Sequence, residues 1–142
     1  MWVVQGLDGL ILGRFTDIGA FTLINATNGV TIEDEVQIGP HCAILSASTI
    51  DNKWGPIHLK KKCCIGTHST VMPNVTIGEN SIIGAYSFVN CDIPANVIAY
   101  GIPAKVQHTI MPDKLGPGGY HGNNKGDKTG TILDDGSGER TV

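Results

Sequence analysis

Aromatic residues make up only 6% of the 142 positions. That is too few to fill a broad core, so an apolar interior has to be assembled from small aliphatic side chains in thin layers. Basic residues are also scarce. Ten Lys and Arg face 13 Asp and Glu, for a net charge of −3, which excludes the basic footprint of a nucleic-acid binder. No apolar run approaches the ~20 residues of a membrane-spanning helix, and Met1-Trp2-Val3-Val4-Gln5 lacks the basic flank and cleavage site of a signal peptide, so the chain reads as cytoplasmic. The four cysteines include no CxxC pair, which removes support for a zinc site or a redox motif. Cys63 and Cys64 are neighbours whose side chains point to opposite sides of a strand and do not pair.

Against these absences stands a strict six-residue period. Aliphatic residues recur at Leu59, Ile65, Val71, Ile77, Ile83 and Val89, and earlier at Leu12, Ile18 and Ile24 and at Ile32, Ile38, Ile44 and Ile50. Four places after many of them comes a compact residue, including Cys63, Ser69, Ser81 and Ser87, and Cys42 falls in the same class. A period of six is neither helical nor a simple strand alternation. It fits a chain coiling through three short flat faces per turn, eighteen residues to a coil. Two extra residues near Asn28-Gly29 offset the second coil. The step from Ile50 to Leu59 is nine residues and marks an excursion at residues 51–58. On this register Ile18, Ile38, Leu59 and Ile77 form one apolar column. The fold expected is all-β, a parallel β-helix of about four to five coils with one short loop excursion. The period ends at Asp92-Ile93-Pro94, and the division expected is a β-helix domain over 1–107 and a Gly-rich tail over 108–142.

The segment Val75-Thr76-Ile77-Gly78-Glu79-Asn80-Ser81-Ile82-Ile83-Gly84-Ala85, with the later Asp92-Ile93-Pro94 and Gly101-Ile102-Pro103-Ala104-Lys105, resembles the hexapeptide-repeat acyltransferases, which include galactoside, maltose and serine acetyltransferases. The resemblance spans residues 10–107. It implies a left-handed β-helix, a homotrimer with active sites in the clefts between subunits, and acetyl-CoA or another acyl-CoA as co-substrate, with no metal. The acceptor it implies is a sugar or a nucleotide-linked amino sugar, in polysaccharide biosynthesis. By the same resemblance Thr67 and Ala85 offer backbone groups to the pantetheine arm, and Lys105 matches a basic residue near the nucleotide end of CoA. Asn90 stands with Cys91 where relatives carry Thr-Lys at a phosphate contact.

Relatives often place a general-base histidine in the loop that interrupts the coils. Here the loop body has none. His41 is the expected base, on an edge separate from that of Thr67 and Ala85. His58 at the loop exit is the alternative, and His68 sits where relatives carry a histidine that is not the base. Asp51 and Asn52 are expected to orient the acceptor, and Trp54 to pack on a ligand or a neighbour. Two other readings stay open: a non-catalytic β-helix scaffold, and a γ-class carbonic-anhydrase-like zinc enzyme. The second is weakened by the absence of an H-x4-H pair.

Overall fold

The computed structural model describes residues 1–111, which coil into a parallel β-solenoid of three sheets. The first sheet stacks Val3–Gln5, Leu23–Asn25, Ala43–Leu45, Thr70–Val71 and Phe88–Val89. The second stacks Leu10–Leu12, Val30–Ile32, Ile57–Leu59 and Thr76–Ile77. The third stacks Asp17–Ile18, Gln37–Ile38, Cys64–Ile65 and Ile82–Ile83, and is capped by the antiparallel pair Val97–Gly101 and Ala104–Thr109. That final strand crosses the boundary expected at 107, and Ile110 beyond it is buried. The rest of the 108–142 segment lies outside the described residues. Among the described residues, no helix is long and apolar enough to cross a membrane.

The hexad explains each coil. On the second and third sheets the period-defining aliphatic residue ends a short strand and points inward, and three positions later the chain turns through a left-handed backbone conformation. Phe21, His41, His68 and Tyr86 occupy that position at one edge, with φ between 56° and 60°. Glu35, Lys62, Asn80 and Asn96 occupy it at another. Such a backbone costs an L-residue roughly 1–2 kcal/mol, so these corners persist because stacked coils hold them.

The inward columns correct the register expected from the sequence. Leu59 pairs with Ile32 below and Ile77 above, whereas Ile38 pairs with Ile18 and Ile65. The column Ile18, Ile38, Leu59, Ile77 therefore does not form. The cause lies in the excursion. It is a β-hairpin in which Ala47–Ser48 pairs with Lys53–Trp54, not a loop over 51–58, and Ile50 is 95% exposed near its tip. Ile50 keeps the six-residue spacing from Ile44 by coincidence of sequence and takes no place in the core. Leu59 is the true successor of Ile44, and His58 is a strand residue of the third full coil.

Two further sets of interactions bind coil to coil. Buried Thr22 and Ser69 donate their hydroxyls to the carbonyls of Gly39 and Gly84, at 2.9 and 3.0 Å. The Cys42 thiol reaches the Gly66 carbonyl at 3.2 Å in the same way. This is why the compact positions tolerate polar atoms in a dry interior: each is hydrogen-bonded. Burial pushes the thiols of Cys42 and Cys63 up, which makes both unreactive packing residues. At the edge between the second and third sheets, Arg14, Asp34, Lys61 and Glu79 follow one another up the stack. The hydrogen bonds of adjoining residues, from Lys62 to Asp34 and from Asn80 to Lys61, fix that order. Arg14 and Asp34 form an ion pair at 3.0 Å, and Lys61 and Lys62 approach Glu35 at 3.8 and 3.9 Å. The run Lys60-Lys61-Lys62 thus faces an acidic corner.

Candidate active site

The edge between the third and first sheets carries the densest chemistry. Gly19, Gly39, Gly66 and Gly84 lie one above another there. A Cβ at Gly66 would stand 2.4 Å from the Ala85 nitrogen, so this glycine is what lets the backbones close. Thr67 follows Gly66 and Ala85 follows Gly84, and the registration of Ile65 with Ile83 sets Ala85 directly above Thr67. Beside this edge the outer surface of the third sheet forms an open groove of about 350 Å³, bordered by Gln37, Gly39, Pro40, Cys64, Gly66, Thr67 and Ile82 among others. That volume is near the lower end of the roughly 300–1,000 Å³ common for small-molecule sites.

Next to the glycines, four rings form a ladder. Phe21 stacks on His41 at 5.1 Å between ring centroids, His41 on His68 at 4.8 Å, and His68 on Tyr86 at 4.7 Å. Stacked aromatic pairs contribute about 0.5–1.5 kcal/mol each, which offsets much of the strain of their left-handed corners. His41 therefore lies on the same edge as Thr67 and Ala85, not on a separate one. The misplacement follows from the hairpin: with its extra residues removed from the count, the corner after Ile38 falls directly beneath the corner after Ile65. The ladder was not legible without that correction.

The other residues expected at the site divide into groups. Lys105 lies in the capping pair opposite Tyr100, and Tyr100 sits over Gly84, so Lys105 comes to the upper end of the same edge. Asn90 follows Val89 in the first sheet and turns at the edge that carries the hairpin, so within one chain the fold separates it from Thr67 and Ala85. Asp51 accepts a hydrogen bond from the Ser48 hydroxyl at 3.0 Å, and Asn52 turns the chain with φ of 53°. Both serve the hairpin turn. Trp54 is in the returning hairpin strand rather than at the tip, is 49% exposed, and its carbonyl accepts from Asn74 at 2.8 Å.

His58 occupies a different surface, the outer face of the second sheet, between Thr31 and Thr76. Its Nε2 lies 2.6 Å from Glu33, whose other oxygen accepts the Lys61 backbone N–H at 2.8 Å. This carboxylate–imidazole pair clamps the second full coil to the third. Partial burial raises the Glu33 pKa, but the Lys61 N–H and His58 outweigh it and hold the carboxyl below its ordinary value. A depressed folded-state pKa gives stability that is present above the unfolded value and is lost as the pH falls through the folded one. Glu33→Gln should therefore be less stable than the parent at neutral pH, with the gap closing under acid. Urea titrations from neutrality to well below pH 4.5, the ordinary value for this group, check this; a gap that does not change with pH would contradict it.

Among the described residues, no three His, Cys, Asp or Glu side chains converge as a metal site. Of the histidines considered for zinc, His41 and His68 share the ladder while His58 is engaged with Glu33 on another sheet.

Coils of this period, with glycine-lined corners and a polar edge beside a groove, define a hexapeptide-repeat β-solenoid. Within the repeat region, residues 56–91 match the family described as bacterial transferase hexapeptide (six repeats). Over 90 residues the chain is 38% identical to the galactoside O-acetyltransferase of Escherichia coli K12, covering 57% of this chain and 44% of that protein. It is 40% identical over 85 residues to a putative acetyltransferase of Schizosaccharomyces pombe, covering 54% and 41%. The chain thus spans less than half the length of these curated relatives. Among solved structures, the maltose O-acetyltransferase of Clostridium difficile 630 superposes with a TM-score of 0.73 at 25% identity, over 78% of this chain and 64% of that one. AntD, an N-acyltransferase from Bacillus cereus in complex with dTDP and 3-hydroxybutyryl-CoA, does so with a TM-score of 0.64 at 25% identity, over 80% and 71%.

Proposed function

We propose that this chain transfers an acyl group, acetyl in the first instance, from acyl-CoA to a sugar hydroxyl at the glycine edge. The observation that carries the reading is the stacking of Thr67 and Ala85 beside an open groove, with Lys105 at the upper end and imidazoles alongside. Successive coils lie about 4.8 Å apart, so an extended pantetheine arm laid parallel to the axis meets polar backbone at regular steps, and the Lys105 ammonium is available to phosphate. The names of the E. coli and C. difficile relatives support a sugar hydroxyl as acceptor, and the bound acyl-CoA named for AntD supports the donor.

The assembly proposed is a homotrimer in which the hairpin of one subunit faces the glycine edge of the next. Ile50 at 95% and Trp54 at 49% exposure leave an apolar arm on each hairpin, and an adjacent subunit is the occupant that would also bring Asp51, Asn52 and Asn90 to the donor edge. Acetyl-transfer assays on a panel of mono- and disaccharides and a dTDP-linked amino sugar, with sedimentation analysis of the same sample, test both parts. Transfer to a sugar hydroxyl by a trimer is expected. A stable monomer at micromolar concentration would contradict the assembly, and failure to bind any acyl-CoA would favour a scaffold.

A further inference from the structure

We infer that His68, not His41 or His58, removes the proton from the acceptor, its tautomer set by a hydrogen-bond relay through Thr67. The inference rests on the acyltransferase reading and adds to it the residue that performs the proton transfer.

The Thr67 hydroxyl lies 2.8 Å from the Pro40 carbonyl oxygen and 3.0 Å from His68 Nδ1. A hydroxyl has one proton to give. The Pro40 carbonyl oxygen, which also accepts the His68 backbone N–H at 3.1 Å, is the nearer acceptor for the Thr67 proton, and with the proton there Thr67 Oγ1 turns a lone pair towards His68. That contact is favourable only when Nδ1 carries the hydrogen. A neutral His68 therefore holds its proton on Nδ1 and keeps its lone pair on Nε2, the form a general base needs. Base, orienting group and anchored third partner form one chain of hydrogen bonds.

Orientation is fixed as well. His41 and Tyr86 cover the two faces of the His68 ring, so its nitrogen-bearing rim is the part left to meet a substrate. His68 is exposed and follows Thr67, which borders the groove. The other histidines lack one or another of these features. His41 is sandwiched between Phe21 and His68 and has no hydrogen-bond partner fixing its tautomer among the described residues. His58 commits Nε2 to Glu33 on a different sheet.

The step balances without a further reactant. Nε2 takes the proton as the acceptor oxygen attacks the thioester carbonyl, and the C–S bond breaks as the tetrahedral adduct collapses. The departing thiolate then recovers the proton from the imidazolium, leaving O-acyl product, CoA thiol and neutral His68. While His68 is cationic, the face of Tyr86 at 4.7 Å stabilises the charge by a cation–π contact.

His68→Asn is the main test, because Asn tolerates the left-handed corner that His68 occupies at φ 58°. In the full-length protein kcat should fall roughly 10²–10⁴-fold, the range for loss of a general base, with KM for acetyl-CoA little changed. The imidazole-dependent limb of the pH–rate profile should disappear, and added imidazole should restore part of the activity of His68→Gly. His58→Asn, on a different sheet, should stay within about threefold of the parent, far short of general-base loss, while His41→Asn, which uncovers one face of the His68 ring, should lower kcat by less than His68→Asn. Thr67→Val removes the relay and keeps the backbone, so it should lower kcat and release the tautomer. Long-range ¹⁵N NMR of the imidazole reads that tautomer without reference to activity: Nδ1–H is expected in the parent and a mixture in Thr67→Val. A parent ring protonated at Nε2, or an active parent with His68→Asn equally active, would overturn the assignment alone. A parent that transfers no acyl group to any acceptor would overturn the acyltransferase reading and this step with it.

Discussion

Leu59→Ala should destabilise the chain by about 2–5 kcal/mol, the usual cost of truncating a buried leucine, while Ile50→Ala should change the stability of the single subunit by less than about 0.5 kcal/mol, as exposed substitutions do, and act only through subunit contact. Both residues are aliphatic and both stand at hexad spacing, Ile50 six residues after Ile44 and Leu59 six before Ile65. Leu59 is 0% exposed and packed between Ile32 and Ile77, so its loss leaves a void in a column with no large side chain free to fill it. Ile50 is solvated near the hairpin tip. Urea denaturation of the two variants at one protein concentration separates them. Comparable losses that persist on dilution, where a subunit contact no longer contributes, would mean that the hairpin packs into the core and that the register drawn above is wrong.

Gly66→Ala should be comparably damaging, with a loss of at least about 3 kcal/mol, beyond the common range for overpacking. The added methyl carbon would stand 2.4 Å from the Ala85 nitrogen, 2.7 Å from the Gly84 carbonyl carbon and 2.8 Å from the Ala85 Cα. All three are backbone atoms that cannot rotate away. Relief requires the third and fourth full coils to separate at the glycine edge, which lengthens the hydrogen bonds from Gly66 N to Ile83 O at 2.7 Å and from Tyr86 N to Thr67 O at 2.9 Å. It also moves Ala85 away from Thr67, so donor binding should weaken together with stability. Glu79→Ala, at an exposed corner, is the control and should do neither. Thermal unfolding of the two variants with and without acetyl-CoA measures both effects. A Gly66→Ala protein as stable as the parent would show that the coils are not in contact at this edge.

Most of the coil architecture is legible in the sequence, because one aliphatic residue per face is a physical requirement of a thin prism and cannot be hidden by substitution. The compact residues Cys42, Cys63, Ser69 and Ser87 are legible for the same reason, since only small side chains fit inside a corner. The hairpin is less so. Ile50 repeats the hexad spacing by chance, and a hydrophobic residue at a turn tip looks like a core residue until its neighbours are known. A usable signal was present: Asp51-Asn52 is a turn pair, and Val30-Thr31-Ile32 matches Ile57-His58-Leu59 in pattern. The step from Leu45 to Ile57 is longer by seven residues than the equivalent step from Asn25 to Val30, and counting those seven as inserted aligns the two strands. The error spread from there, because a shifted count sends His41 to the wrong edge and hides its stacking with His68. The pairing of His58 with Glu33 joins residues that only coiling brings together, and no local pattern announces it.

The claim on which the functional account rests is that the acyl donor lies along the glycine edge. Titrating acetyl-CoA into the ¹⁵N-labelled full-length protein and following backbone amide shifts tests it most directly. Saturable shifts should concentrate at Thr67, Ala85 and Lys105, with smaller changes at Gly66 and His68, while Thr31 and Thr76 on the outer face of the second sheet stay still. Shifts confined to that second sheet, or none at millimolar acetyl-CoA, would contradict it.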